Sequence, residues 1–213
     1  CIRDRLKSKD VSGVEIVQLK GGMSHSDKST NDIRTIGAFC HAFHAYARTL
    51  PLPVIFDSVE TKRIVEQDRF IASVLALGRT VDIAVFTVGA VDHDSLALNL
   101  GQLSATEKDL LVERAVGDAC SRFYRPDGGI ALPEVDARTV GISLSDLRRI
   151  PTRVLVAGGA YKAAAIDVAL RTNLATHLVI DDATAERLLS LDSPDSPGSP
   201  DSPSSSTPPP ATE

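Results

Sequence analysis

The sequence predicts an α/β fold in which a mostly parallel sheet carries helices on both faces. Strand-like and helix-like segments alternate from residue 14 to residue 189. The strand-like segments are rich in Val, Ile and Leu on both faces, as strands of a sheet covered on both sides are. With 213 residues, 43% of them hydrophobic and 24% charged, the chain can build a sizeable core, which excludes wholesale disorder.

Short apolar runs that stop at glycine or proline predict the strands. In chain order the predicted strands are 14–19, 45–50, 81–88, 139–142, 153–157 and 177–180. Glycines follow the first, third and fifth of these segments, and Pro51 follows the second. A further apolar run covers 115–124 and leads into a turn at 127–129.

The segments between the strands have helical periodicity. In chain order the predicted helices are 27–43, 61–77, 104–114, 143–149, 160–171 and 182–189. Apolar residues recur at three- or four-residue spacing from Ile64 to Leu75. Ser104 followed by Glu107 three residues on is a capping box, which sets the start of the third helix.

Composition separates both ends from the predicted domain, 14–190. Residues 1–13 carry charges of alternating sign and predict a solvated lead-in segment. Seven of the twelve prolines lie in 191–213, where Asp-Ser-Pro recurs. Such a stretch buries too little apolar surface to offset its ordering entropy, so we expect a disordered tail, either inert or a linker or docking segment. Because the chain starts at Cys1 without Met or an apolar leader, we expect no signal peptide and a missing upstream segment.

Charge and cysteine content exclude several classes of protein. The net charge is −5, but the tail supplies four acidic residues and no basic one, leaving 23 basic against 24 acidic. Without a Lys/Arg stripe, this chain is not a nucleic-acid binder by itself. No apolar run reaches the roughly 18 residues of a membrane span, so we expect no membrane contact. Cys1, Cys40 and Cys120 form no disulfide or zinc pattern, which fits a reducing cytoplasm and no cofactor or metal.

Ligands of parallel α/β folds bind at the carboxyl ends of the strands, which directs attention to the loops there. In the first loop, Gly21 and Gly22 precede Ser24 and Ser26, a composition that suits an anion. The alternative is that these glycines only turn the chain. In the last loop, Lys162 follows Gly158 and Gly159 in the first turn of a helix. A cation there is favourable when an anion binds between it and the helix end; the alternative is a surface lysine.

Asp118 lies within an apolar run, where a carboxylate must be hydrogen-bonded or used. It either accepts bonds from sugar hydroxyls, acts as a general base, or caps local backbone. His25 and His93 are weaker candidates for ligand contact. His41 and His44 lack a third metal ligand, and no Gly-x-Ser-x-Gly motif indicates a nucleophilic hydrolase.

Short motifs follow one another in a fixed order at 18–22, 50–53, 88–89, 115–123, 127–128, 140–144, 150–151, 156–162 and 165–166. This ordered set resembles the sugar-binding domain of the SorC family (DeoR-like) of bacterial transcriptional regulators. The resemblance implies a Rossmann-like sheet similar to that of sugar-phosphate isomerases and deaminases, in a domain that senses a phosphorylated sugar. It places the phosphate at the first glycine loop and Lys162, and the sugar hydroxyls at Asp118. The predicted ligand-binding residues are Gly21, Gly22, Ser24, Gly89, Asp118, Gly158, Gly159 and Lys162.

The resemblance also implies partners. Full-length members carry an N-terminal helix-turn-helix, for which there is no room before residue 14, so DNA contact is expected only through a missing part. Regulators that read paired half-sites are at least dimers. Ala90 stands where many members have a hydroxyl residue. The alternatives are a sugar-phosphate isomerase or deaminase-like enzyme on the same fold, and a structural remnant of a regulator.

Overall fold

The computed structural model describes residues 6–22 and 32–191. Its strands are β1 (Glu15–Val17), β2 (Tyr46–Arg48), β3 (Ile83–Phe86), β4 (Val88–Ala90), β5 (Gly117–Ala119), β6 (Arg122–Tyr124), β7 (Thr152–Val156) and β8 (His177–Val179). Its α-helices are α1 (Asp32–Phe43), α2 (Val59–Val65), α3 (Arg69–Gly78), α4 (Ala105–Arg114), α5 (Pro133–Ala137), α6 (Leu144–Arg149), α7 (Ala163–Arg171) and α8 (Asp182–Leu191). Two 3-10 helices cover Ala97–Asn99 and Ala160–Lys162.

Two of the three sheets are parallel, which confirms the predicted α/β class. β1 pairs with β2, and β3, β7 and β8 form a three-stranded sheet in that order. In the larger parallel sheet Val85 lies opposite Val154, which in turn lies opposite His177. Helices connect these strands, as parallel pairing requires.

The third sheet is antiparallel and corrects one prediction. The predicted strand 81–88 is two strands, because the chain leaves β7 after Phe86 and pairs as β4 with β5. The apolar run 115–124 is a hairpin, β5 and β6, closed by Cys120 (φ 53°) and Ser121 (φ 63°). Two successive residues with positive φ match the right-handed twist of the paired strands.

Three further boundaries differ from prediction. The predicted helix 61–77 is two helices, because the Asp68 side chain accepts from the N–H groups of Phe70 and Ile71 and starts α3. The predicted strand 139–142 makes only isolated bridges at Thr139 and Gly141. The predicted helix 160–171 begins as a 3-10 turn before α7. The capping box of Ser104 and Glu107 is confirmed at α4.

The main core lies between the larger parallel sheet, the β4–β5–β6 sheet and helices α6 and α7. The opposite face of the parallel sheet leaves apolar side chains in solvent: Ile83, Val85 and Val179 are 59%, 42% and 41% exposed. We call these three residues the exposed apolar row. Among the described residues, no helix has both the length and the apolar character needed to cross a membrane. Ser24, His25, residues 1–5 and the tail from 192 onward lie outside the described residues.

Candidate functional site

Asp118 lies at the centre of the candidate site, on the middle strand of the antiparallel sheet. It is 9% exposed and pairs with Gly89 of β4 on one side and Phe123 of β6 on the other. The backbone N–H of Ser121 donates to Asp118 Oδ2 at 3.2 Å. Asp118 thus also caps its own hairpin turn, which is one of the roles expected from sequence.

Burial raises the pKa of the Asp118 carboxyl above its ordinary value. The N–H groups of Ser121 and Gly89 offset part of that rise, and so do the positive charges of Lys20 and Lys162. Both positive charges therefore favour the ionised form of one buried carboxylate.

Lys20 is a site residue that sequence reasoning did not select. Its Nζ lies 3.8 Å from Asp32 Oδ2 and 3.4 Å from the carbonyl oxygen of Gly21, and its side chain is 27% exposed. The Lys20 charge also acts on the Cys120 thiol, whose pKa burial raises to about 11. Its position in the sequence could have identified it, because Lys20 directly precedes Gly21 at the carboxyl end of the first predicted strand.

The glycines of the first loop have a packing role. A Cβ on Gly21 would stand 2.6 Å from the carbonyl oxygen of Pro53, so only glycine fits there. The Gly21 N–H donates to Val140 O and the Gly22 N–H to Leu50 O, both at 3.2 Å. Because both N–H groups already have protein acceptors, and the backbone lies close to Gly21, this packing accounts for Gly21 without a bound anion. A Cβ on Gly22 would meet the side chain of Gln18. Ser24, the predicted hydroxyl donor, is outside the described residues.

The last loop is held by a carboxylate that the sequence analysis missed. The Gly159 N–H donates to Asp181 Oδ2 and to Thr184 Oγ1, both at 2.9 Å. Gly159 has a φ of 106°, and a Cβ on Gly158 would stand 2.8 Å from Asp181 Oδ2. The hydrogen bonds that Asp181 accepts from the Thr184 N–H, the Gly159 N–H and the Thr184 hydroxyl hold its pKa below its ordinary value. Asp181 therefore fixes the Gly158-Gly159 turn from the start of α8.

Lys162 follows this turn at the N-cap position of α7, a helix of nine residues. Its Nζ lies 5.8 Å from the centre of the Tyr161 ring, within cation–π range. The 3-10 helix that carries Lys162 packs against β4, and α7 packs against β4 and β5. The fold thus brings Lys162 to the strands that hold Gly89 and Asp118. Tyr161 is 71% exposed beside it.

Of the two weaker candidates, His25 is outside the described residues and His93 lies on the surface. His93 is an exposed side chain whose Nδ1 lies 3.9 Å from Asp109 Oδ1. Within the described residues, no group of three or more His, Cys, Asp and Glu side chains is placed to hold a metal ion. A buried carboxylate on a strand that packs against the start of α7, where Lys162 lies, suits a ligand that offers both hydroxyl donors and a negative charge.

Comparisons with known proteins identify the family of the chain. The sequence profile described as "Putative sugar-binding domain" matches residues 1–190. The chain is 44% identical over 189 residues to the "Deoxyribonucleoside regulator" of Bacillus subtilis (strain 168), covering 89% of this chain and 60% of that protein. The chain therefore spans well under two thirds of that relative's length.

Solved structures give the same result for the fold. A domain of a possible sugar-binding transcriptional regulator from Arthrobacter aurescens TC1 is similar with a TM-score of 0.78 and 30% identity, over 88% of this chain and 73% of that one. A transcriptional regulator from Streptococcus pneumoniae TIGR4 gives a TM-score of 0.81 and 27% identity, over 90% and 73%. All three relatives are named as regulators or parts of regulators, which supports the expectation that the domain is not an enzyme. The chain belongs to the sugar-binding domain family of SorC/DeoR-type transcriptional regulators.

Proposed function

We propose that this domain binds a phosphorylated sugar as the effector of a cytoplasmic transcriptional regulator. The observation that carries the proposal is the packing of α7 and of the 3-10 helix that holds Lys162 against the strands of Gly89 and the buried Asp118. The positive charges of Lys20 and Lys162 favour the ionised form of that carboxylate. Lys20 already forms an ion pair with Asp32, so the charge that favours an anionic ligand is that of Lys162 at the start of α7. Asp118 accepts hydrogen bonds from sugar hydroxyls, and Lys162 with the positive end of α7 attracts the phosphate.

The name of one relative indicates which class of sugar the domain binds. The B. subtilis protein is named a deoxyribonucleoside regulator, and a deoxyribonucleoside contains a five-carbon sugar. We therefore infer a pentose phosphate, with 2-deoxyribose 5-phosphate as the first compound to test. DNA contact belongs to a part of the regulator outside this chain, since residues 1–190 have balanced charge and no basic stripe.

Isothermal titration calorimetry tests the proposal with matched pairs of ligands. The panel is 2-deoxyribose 5-phosphate, ribose 5-phosphate and glucose 6-phosphate, each beside its unphosphorylated sugar, together with inorganic phosphate. We expect at least one phosphosugar to bind about tenfold or more tightly than both its parent sugar and phosphate, because a charge-assisted hydrogen bond contributes about 1.5–3 kcal/mol. Equal affinity for a sugar and its phosphate, or no binding across the panel, contradicts the proposal.

The same samples separate a sensor from an enzyme. Proton NMR of the bound phosphosugar should show the unchanged compound after prolonged incubation. Formation of the isomeric ketose or aldose phosphate would instead assign an isomerase activity to the Asp118 site.

We also propose that the domain self-associates through the exposed apolar row. Ile83 and Val85 lie on one face of β3, and the register places Val179 of β8 on the same face through Val156. A parallel sheet is normally covered on both faces, so this uncovered face fits a second copy of the chain.

A further inference from the structure

We propose that Arg122 is a positioning residue that fixes Lys20 and the first glycine loop relative to Asp118. The inference rests on the proposed function, because it concerns the same ligand site. Arg122 lies on β6, where it pairs with Ala119, the residue after Asp118. The hairpin therefore carries the buried carboxylate on one strand and the arginine on the other.

Every N–H group of the Arg122 guanidinium donates a hydrogen bond to the segment 136–142. Nε donates to the Ile142 carbonyl at 3.1 Å, and Nη2 donates to the carbonyls of Thr139 and Gly141 at 3.1 and 3.0 Å. Nη1 donates to the Asp136 carbonyl at 2.7 Å and to Asp136 Oδ1 at 3.0 Å. All five N–H donors of the arginine thus have acceptors in one loop, a geometry that lysine cannot reproduce.

That loop in turn holds the first glycine loop. The Ile142 N–H donates to Leu19 O at 2.7 Å, and the Gly21 N–H donates to Val140 O at 3.2 Å. Lys20 forms an antiparallel bridge with Gly141. A Cβ on Gly141 would stand 2.6 Å from Lys20 Cα, so the backbones of the two segments are in close contact.

These contacts form a continuous path from Asp118 to Lys20. The path runs through the β5–β6 hairpin, the Arg122 side chain and the segment 136–142. The arginine is 5% exposed, so its bonds are shielded from competing water. Loss of the five Arg122 hydrogen bonds frees the segment 136–142. The Lys20 ammonium is then no longer held in one position relative to the Asp118 carboxylate.

The test compares Arg122→Lys with Arg153→Lys. Arg153 is a matched control: it is 6% exposed and also donates to a backbone carbonyl, that of Ile150. Arg153 lies near the amino end of β7, whereas the Gly158-Gly159 turn follows the carboxyl end. Each variant is studied well below its own melting temperature, so that both are folded.

The first readout, amide hydrogen exchange of Gly21 by NMR, needs no ligand. We expect Arg122→Lys to accelerate Gly21 exchange by about tenfold or more beyond its change in global stability, while Arg153→Lys does not. The second readout is the affinity for 2-deoxyribose 5-phosphate, which should fall about tenfold in Arg122→Lys alone. Equal effects of the two variants on Gly21 exchange overturn the inference.

The two readouts separate the two proposals. If the wild-type protein binds no phosphosugar but Gly21 exchange responds to Arg122→Lys, the proposed function fails and the positioning role stands. If the ligand binds and Arg122→Lys leaves both readouts unchanged, the positioning role fails. Should Arg122→Lys not fold, Asp136→Asn weakens the same contacts, and its Gly21 exchange decides the question in the same way.

Discussion

Gly89 and Asp118 face each other across paired strands, so closely that a Cβ on Gly89 would stand 2.3 Å from Asp118 Oδ1. The Gly89 N–H also stabilises the charged form of that carboxylate. The strand β4 therefore shapes the floor of the ligand site through an absent side chain.

Gly89→Ala should displace the Asp118 carboxylate and abolish most sugar binding. Overpacking of this kind costs about 1–3 kcal/mol of unfolding free energy. Calorimetry with 2-deoxyribose 5-phosphate and thermal unfolding measure the two effects. Gly37→Ala is the matched control, because a Cβ at Gly37 meets nothing within 4 Å and Ala favours the helix α1. Unchanged affinity in Gly89→Ala would show that the Asp118 carboxylate is not a ligand contact.

Asp118→Asn should change the pH dependence of stability. Because the folded protein holds the pKa of Asp118 above its ordinary value, ionisation of this group costs stability as pH rises from the ordinary aspartate pKa through the raised one. Below that window the cost is absent. The melting temperature of Asp118→Asn minus that of the wild type should therefore increase across the window.

Asp109→Asn controls for the loss of one negative charge, since the Asp109 side chain is 72% exposed on α4. A difference in melting temperature that falls as pH rises, or one that Asp109→Asn reproduces, contradicts the assignment of the raised pKa to Asp118.

Asp181→Ala should loosen the Gly158-Gly159 turn and weaken ligand binding without unfolding the domain. The variant removes a bond to the Gly159 N–H and the cap on the Thr184 N–H. Hydrogen exchange of the Gly159 amide should accelerate. The loss of phosphosugar binding free energy should exceed the loss of unfolding free energy that the change in melting temperature indicates. Asp182→Ala, at the neighbouring position, tests whether loss of any acidic side chain there has the same effect. An unchanged Gly159 exchange rate would remove Asp181 from the site.

Val85→Lys should convert an associated form to monomer. A charge placed in the exposed apolar row would be desolvated in the interface. The free energy of that desolvation exceeds the association free energy of a weak dimer. Light scattering across a concentration series measures the mass. Ile64→Lys is the control, because Ile64 is 57% exposed on α2 and is not part of the exposed apolar row. A wild-type mass that stays monomeric at high micromolar concentration contradicts self-association.

Local sequence patterns predicted much of the fold and part of the site. Alternating apolar segments indicated the parallel strands, and Ser104 with Glu107 set the start of α4. Asp118 was identified because a carboxylate in an apolar run needs a partner, and Lys162 because a cation opposes a helix start. These predictions depend only on residues that are close together in the sequence, so the sequence alone was sufficient for them.

The remaining features depend on contacts between distant segments. The β5–β6 turn uses Cys120 and Ser121 with positive φ instead of the glycines that mark such turns. Lys20 pairs with the distant Gly141, and Asp181 accepts from the N–H of Gly159, which lies 22 residues earlier in the chain. The five bonds of Arg122 span up to twenty residues, and no periodicity in the sequence indicates them.

The ligand-dependent melting temperature of Lys162→Ala tests the central claim, a phosphosugar site at the start of α7. In the wild type, 2-deoxyribose 5-phosphate at about 100 times its Kd should add about 2.7 kcal/mol, a rise of roughly 5–10 °C, and the unphosphorylated sugar far less. Lys162→Ala should lose most of that rise while the ligand-free protein melts at about the same temperature. Lys62→Ala, a lysine on α2 paired with Glu66, should keep the full rise. A full ligand-induced rise in Lys162→Ala, with or without a loss of stability in the ligand-free protein, would contradict the site.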